Sequence, residues 1–323
     1  DEIILSAGTF NENIVIDTNN DDEPLTGLTL SGSGIGTIIT VQPPFGMGSP
    51  PIADWTVPGI NVTSADVTIS NLLISNFTTG INVFQADSLL LEYVHIIDIQ
   101  GVGINIDSSI DVEISESSVL RSQASNIIIE NNSTDMLLTD SDVSWSEQSG
   151  VIVRSGSDFF EMRGILVGSN EDYGCLISSN GVAMSNNQMR YNGLNGVYLQ
   201  SINGADLSNN EFEGNGLSEL KIIGSTDIST DYNYFNATEQ FENGGWGIDI
   251  SSSFESEIKN NFFELGVRLT GSDNFTLDNN EFVNISYGNN YEQKTSVLID
   301  GFDNIISSNS ISNVGIGLVF LDG

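Results

Sequence analysis

One histidine, one cysteine and eight Lys and Arg residues are all that this 323-residue chain offers as strong nucleophiles, bases and cations, against 44 Asp and Glu. His95 stands in Tyr93-Val94-His95-Ile96 on an alternating stretch without an Asp-Pro-His neighbourhood, and reads as a surface or turn residue. A seryl triad would have to recruit His95, and a cysteinyl one Cys175 as well; no motif accompanies either. Cys175, in Tyr173-Gly174-Cys175-Leu176, reads as a small buried apolar residue. A lone cysteine also excludes an intramolecular disulfide and a multi-Cys metal site. Arg121, Arg154, Arg163, Arg190 and Arg268 are scattered, and Lys221, Lys259 and Lys294 cluster no better. Two carboxylates at the right separation hydrolyse glycosides, but with 44 acids, pairs such as Asp140/Asp142 and Glu171/Asp172 arise without function. The run Ser-Gly-Ser-Gly-Ile-Gly at 31–36 has the composition of a phosphate loop, yet no helical pattern follows. No catalytic residue is assigned.

Hard oxygen ligands are easier to find. Asp17, Asn19, Asp21, Asp22 and Glu23 place carboxylates and amides at nearly alternating positions, as Ca²⁺ prefers. A solvated acidic turn is the other reading; it is not an EF-hand, since position six lacks Gly and position twelve is Leu28. Asp227 and Asp231 beside Asn233 are a weaker candidate, and Ca²⁺ is the only cofactor expected. Aromatics concentrate in three irregular stretches: 42–59 with Phe45 and Trp55, 236–247 with Phe241 and Trp246, and 284–295 with Tyr287 and Tyr291. Trp55, Trp246, Tyr287 and Tyr291 are candidate contacts for glycans or a protein partner; alternatively they fold back to cover the core.

The elements that must position these residues repeat. Val67-Thr-Ile69-Ser-Asn71-Leu-Leu-Ile74 returns as Val112-Glu-Ile114-Ser-Glu116-Ser-Ser-Val119, as Val182-Ala-Met184-Ser-Asn186-Asn187-Gln-Met189 and as Ala205-Asp-Leu207-Ser-Asn209-Asn210-Glu-Phe212. Ile258-Lys-Asn260-Asn261-Phe-Phe263 and Phe275-Thr-Leu277-Asp-Asn279-Asn280-Glu-Phe282 continue it. About eleven units run from Ala65 onward at a spacing of roughly 23 to 24 residues. Within each, apolar residues alternate with period 2 in short strands punctuated by Asn-Gly, Ser-Asn and Gly-Ser turns. Three short strands and three turns per coil make a parallel β-helix, with inward Val, Ile, Leu and Phe stacked along one apolar column. The expectation is an all-β parallel β-helix solenoid of about 12–13 coils of roughly 23 residues, right-handed as the family resemblance below implies. It forms one domain over 1–323, less regular in 1–64 and regular in 65–323. Asn187, Asn210, Asn233, Asn261, Asn280 and Asn309 share one repeat position, two residues before an inward residue. They are expected to form a structural ladder, with left-handed backbone at a tight turn and amides bonded coil to coil. Ser117 and Ser141 take this position in the first half.

These repeats resemble the right-handed parallel β-helix superfamily, in particular pectin-lyase-like and NosD/CASH-type repeat proteins. The opening Ser6-Ala-Gly-Thr-Phe10-Asn-Glu-Asn-Ile14-Val-Ile16 is similar to the first full coil of that group. The resemblance covers essentially the whole chain and implies the fold; the superfamily includes lyases, epimerases, hydrolases, tailspikes and non-catalytic surface proteins. Its lyases and epimerases would need Arg, Lys or His near the sugar C5, and its hydrolases an ordered Asn-Thr-Asp, Asp-Asp, Gly-His-Gly and Arg-x-Lys set that this chain lacks.

Composition narrows the partners. The net charge is −36 while charged residues total only 16%, so bases are missing rather than acids in excess, and about three dozen Asn fill part of the gap. Nucleic acid is excluded as a partner, anionic bilayers are disfavoured, and no run reaches the roughly 18 apolar residues of a membrane span. Seven sequons, at Asn61, Asn76, Asn131, Asn132, Asn236, Asn274 and Asn284, point to a glycosylated protein outside the cell or on its surface. The chain opens without Met, so a signal peptide has been removed or the sequence is a segment of a longer one. The absence of a cap at either end implies a cut from a longer chain or coverage by neighbouring copies, head-to-tail or laterally. The expected function is therefore a secreted or cell-surface structural β-helix that self-associates into a fibre, sheath or surface layer. The alternative is a carbohydrate-active β-helix: a polysaccharide lyase or epimerase, or a tailspike-like glycan-binding module.

Overall fold

Short alternating segments become strands here because every second side chain is apolar and gains by facing inward, while the polar one between stays hydrated. The computed structural model describes residues 1–17, 27–41, 57–237, 245–285 and 295–321. Contacts divide it into two compact units, Asp1–Glu161 and Met162–Gly323. Each unit consists of three columns of parallel strands, and among the described residues the one helical element is a 3-10 turn at Gly34–Gly36. Among the described residues the third column contributes thirteen strands, six in the first unit and seven in the second, in keeping with about 12–13 coils.

In the first unit the third column brings Ile60, Ile81, Ile104, Ile127 and Val151 into register, all buried. The first two columns meet at a corner. In the long strands Ala65–Ser75 and Asp87–Ile97 the corner is a left-handed residue, Asn71 (φ 56°) or Tyr93 (φ 53°). In the next coil Glu116 (φ 45°) separates Ile110–Ser115 from Ser118–Leu120. Behind the corner runs the expected serine ladder: Val94 N–H donates to Ser117 Oγ at 3.0 Å and Ser117 N–H to Ser141 Oγ at 2.9 Å.

In the second unit the same corner carries the asparagine ladder. Asn187 Nδ2 donates to Asn210 Oδ1 at 2.9 Å, and the link repeats to Asn233, Asn261, Asn280 and Asn309. Each Asn from Asn210 onward also accepts the backbone N–H of its predecessor, so the amide and the peptide N–H of the buried Asn187, Asn210, Asn233, Asn261 and Asn280 are satisfied. One detail of the expectation is corrected. The left-handed backbone belongs to the residue before each ladder Asn, namely Asn186, Asn209, Tyr232, Asn260, Asn279 and Ser308. The preceding residue makes the reversal, and this turns the ladder Asn inward. Beside the ladder, Phe212, Phe235, Phe263 and Phe282 stack at 4.7–4.8 Å with their planes within 8° of parallel.

Candidate functional site

Functional side chains on such a scaffold are the outward members of each strand, brought into line by register. In the third column of the second unit, Lys221 pairs with Asp249 and Asp249 with Arg268. Arg268 Nε and Nη2 reach the Asp249 carboxylate at 2.8 and 2.7 Å, and Lys221 Nζ bonds the same carboxylate. Burial would raise the Asp249 carboxyl, but hydrogen bonds from Arg268 and Lys221, with their charges, outweigh it and hold the group below the ordinary carboxylate range. Trp246 is buried, with the Arg268 guanidinium 5.4 Å from its ring centroid. Trp246 is thus not an exposed contact residue; its ring is spent on packing. These groups face one another, so the cluster reads as a structural bolt.

A second cluster lies on the second column of the same unit. Register aligns Gln188, Glu211, Tyr234, Phe262 and Glu281, with Arg190, Glu213 and Asn236 alongside. Arg190 Nη2 bonds Glu211 Oε2 at 2.7 Å, and Arg190 Nε lies 3.5 Å from Glu213 Oε2. Tyr191 donates its hydroxyl to Glu213 Oε1 at 2.9 Å while half its surface stays exposed. Tyr234 and Phe262 stack at 4.8 Å. The hydrogen bond to Glu213 raises the Tyr191 phenol above its ordinary range, and burial followed by the charges of Glu264, Glu211 and Glu213 raises Tyr234. Both phenols therefore keep their protons, and that of Tyr191 is donated to Glu213. The cluster combines two carboxylate acceptors, a guanidinium, phenolic donors and an accessible ring.

The first unit offers an open groove of about 260 Å³ lined by Asp66, Thr68, Ser88, Leu90, Asp111 and Glu113. His95 Nδ1 lies 2.7 Å from Ser118 Oγ, half-buried on the outer side of the second column. Cys175 is buried in the third column, and desolvation pushes its thiol far up, which leaves it inert. Of the acidic motif, Asp17 accepts a hydrogen bond from Thr63 Oγ1 at 2.8 Å, while Asn19, Asp21, Asp22 and Glu23 lie outside the described residues. Trp55, Tyr287 and Tyr291 lie outside them too. Among the described residues no group of three or more His, Cys, Asp or Glu is placed to hold a metal ion. Of the sequon residues, Asn131, Asn132, Asn274 and Asn284 are exposed and Asn61, Asn76 and Asn236 half-buried.

Besides the Arg190 cluster, two features escaped sequence reasoning. Asn170, Asn192 and Asn215 form a second buried ladder, Nδ2 to Oδ1 at 2.9 and 2.8 Å, which ends on the buried carboxyl of Glu219. Its signal was present as Asn-Gly at 192–193 and again at 215–216. The glycines are required, since a Cβ on Gly216 would lie 2.0 Å from the Gly193 carbonyl oxygen. The other is the convergence of Lys221 and Arg268 on Asp249.

The model of the "right handed beta helix region" matches residues 16–134 and 125–265. This chain belongs to the right-handed β-helix family. Among solved structures it is similar to the A-modules of two Azotobacter vinelandii mannuronan C-5 epimerases. For AlgE6 the TM-score is 0.72 at 12% identity, covering 97% of this chain and 90% of that one. For AlgE4 it is 0.65 at 14% identity, covering 100% and 91%. The Dettilon tailspike protein follows at 0.58 and 13% identity, covering 98% of this chain and 61% of the tailspike. At such identities the likeness establishes the β-helix fold alone. No curated protein sequence matches the chain. Among the described residues no helix is long and apolar enough to cross a membrane.

Proposed function

We propose that this β-helix protein is a secreted or cell-surface scaffold that binds an uncharged polysaccharide along the second strand column of its second unit. The observation that carries the reading is the cluster of Arg190, Glu211 and Glu213 with Tyr191 and Tyr234 beside it. Sugar hydroxyls both donate and accept, so a site for them mixes carboxylate acceptors with guanidinium and phenol donors. An exposed aromatic ring covers the C–H face of a pyranose. Coils rise by about 4.8 Å, so the polar groups recur in line, as a polymer requires.

The charge selects among polymers. A net charge of −36 repels a polyuronate unless cations screen or bridge the two. A neutral chain pays no such penalty and donates its hydroxyls to Glu211 and Glu213. Similarity to mannuronan epimerases supports polysaccharide as the ligand class. The test is a panel of immobilised neutral and uronate polymers probed with the purified protein over a range of ionic strength. Binding to a neutral polymer that persists at high salt is expected; binding to uronates alone, or to nothing, overturns the reading.

The scaffold reading includes self-association into a fibre, sheath or surface layer, with Ca²⁺ bridging acidic walls. Electron microscopy of native material with and without Ca²⁺ tests that part. Filaments or a lattice are expected, and single particles under both conditions remove it.

A further inference from the structure

We propose that the protein carries N-linked glycans on Asn132 and Asn274 and none on Asn76. The inference rests on the extracellular reading above but selects among the seven sequons by geometry. In the transfer, Nδ2 of the asparagine bonds to C1 of a sugar. The bond from C1 to the phosphate oxygen of a polyprenyl phosphate- or pyrophosphate-linked donor breaks, the phosphate leaves with the electron pair, and the amide gives up one proton. The modified nitrogen keeps a single hydrogen, and its sugar needs a path to solvent.

Asn132 and Asn274 meet both demands. Asn132 is exposed at φ 62°, just past the third-column strand Ile127–Glu130, and Asn274 is exposed at φ 58° in Asp273–Asp278. The hydroxyl residues of their sequons, Thr134 and Thr276, are themselves half-exposed. The overlapping sequon of Asn131 instead uses Ser133, which is buried with its hydroxyl donated to Glu130 O at 2.7 Å. On the folded chain this favours Asn132 over Asn131.

Asn76 fails both. It is half-buried at the corner after Ala65–Ser75, and its Nδ2 donates to Thr40 Oγ1 at 3.0 Å and Ser75 Oγ at 3.3 Å. A sugar there would remove one of those two hydrogens and place a pyranose between side chains of successive coils. A chain glycosylated at Asn76 before folding would have to break this corner to fold.

The experiment is glycopeptide mass spectrometry on protein isolated from its native source. Sugar-bearing peptides containing Asn132 and Asn274, with the Asn76 peptide unmodified, are expected. Unmodified Asn132 and Asn274, or a glycan on Asn76, overturn the proposal. The fraction that yields the protein, surface or medium against cell lysate, tests the extracellular reading separately.

Discussion

Asn215 donates its side-chain amide to the buried carboxyl of Glu219, four residues ahead, so a glutamate closes a ladder that asparagines build. Desolvation pushes Glu219 up to about 8, against the hydrogen bonds from Asn215 and Gly214 that favour its charged form; the Glu213 charge adds to the rise. The folded protein therefore holds a proton that the unfolded chain, with a carboxyl near 4.5, has released. Stability contributed by this group is full below about pH 4.5 and falls as pH rises through about 8. Glu219→Gln keeps an acceptor for Asn215 and cannot ionise. Thermal unfolding of the two proteins from pH 5 to 9 should show the wild type losing more Tm with rising pH than the variant, and equal slopes would contradict the assignment.

Asp249 is a buried acid held by two cations, and removal of its charge leaves Lys221 and Arg268 facing each other. Asp249→Asn should cost about 3–5 kcal/mol in denaturant unfolding. The triple change Lys221→Met, Asp249→Leu, Arg268→Met should recover most of that loss, because it removes the buried charges together. A neutral result for Asp249→Asn would mean that water reaches the triad.

The inner and outer members of an Asn-Asn pair have different tasks. Asn233→Ala strips the acceptor from the backbone N–H and side-chain amide of Asn210, both buried. A loss of about 2–4 kcal/mol is expected, from two donors at roughly 1–3 kcal/mol each, partly relieved by relaxation. Asn209→Ala touches only the left-handed position outside the ladder, at φ 55°, and should cost about 1 kcal/mol. Chemical denaturation of both variants decides, and equal losses would contradict the division of labour.

Most of the coil geometry was legible in the sequence because two periods coincide: alternation within strands and about 23 residues between them. The ladder of Asn187, Asn210 and Asn233 stood out because its rungs are 23 residues apart. The Lys221–Asp249–Arg268 bolt did not: its spacings are 28 and 19 residues, as between Asn233, Asn261 and Asn280, but no shared residue type marks its position from coil to coil. The Arg190 cluster kept regular spacing, 23 residues to its register partner Glu213, but a search for cations beside cations passes over an Arg set among acids. Which member of an Asn-Asn pair takes the left-handed backbone is not written in composition, since the two residues are identical and Asn tolerates it at either place. Of the two readings open for Trp246, exposed contact or cover for the core, the structure selects burial, which an aromatic in an irregular stretch does not announce by its spacing.

The central claim is most directly tested by titrating the neutral polysaccharide that binds best into wild-type protein and the Tyr191→Ala variant, by calorimetry at low and high salt. Loss of the ring and of its hydrogen bond to Glu213 should weaken binding at least about tenfold, or about 1.4 kcal/mol, with little salt dependence in either protein. Equal affinity of wild type and variant, or affinity that collapses with salt, would contradict a neutral-glycan site at this cluster.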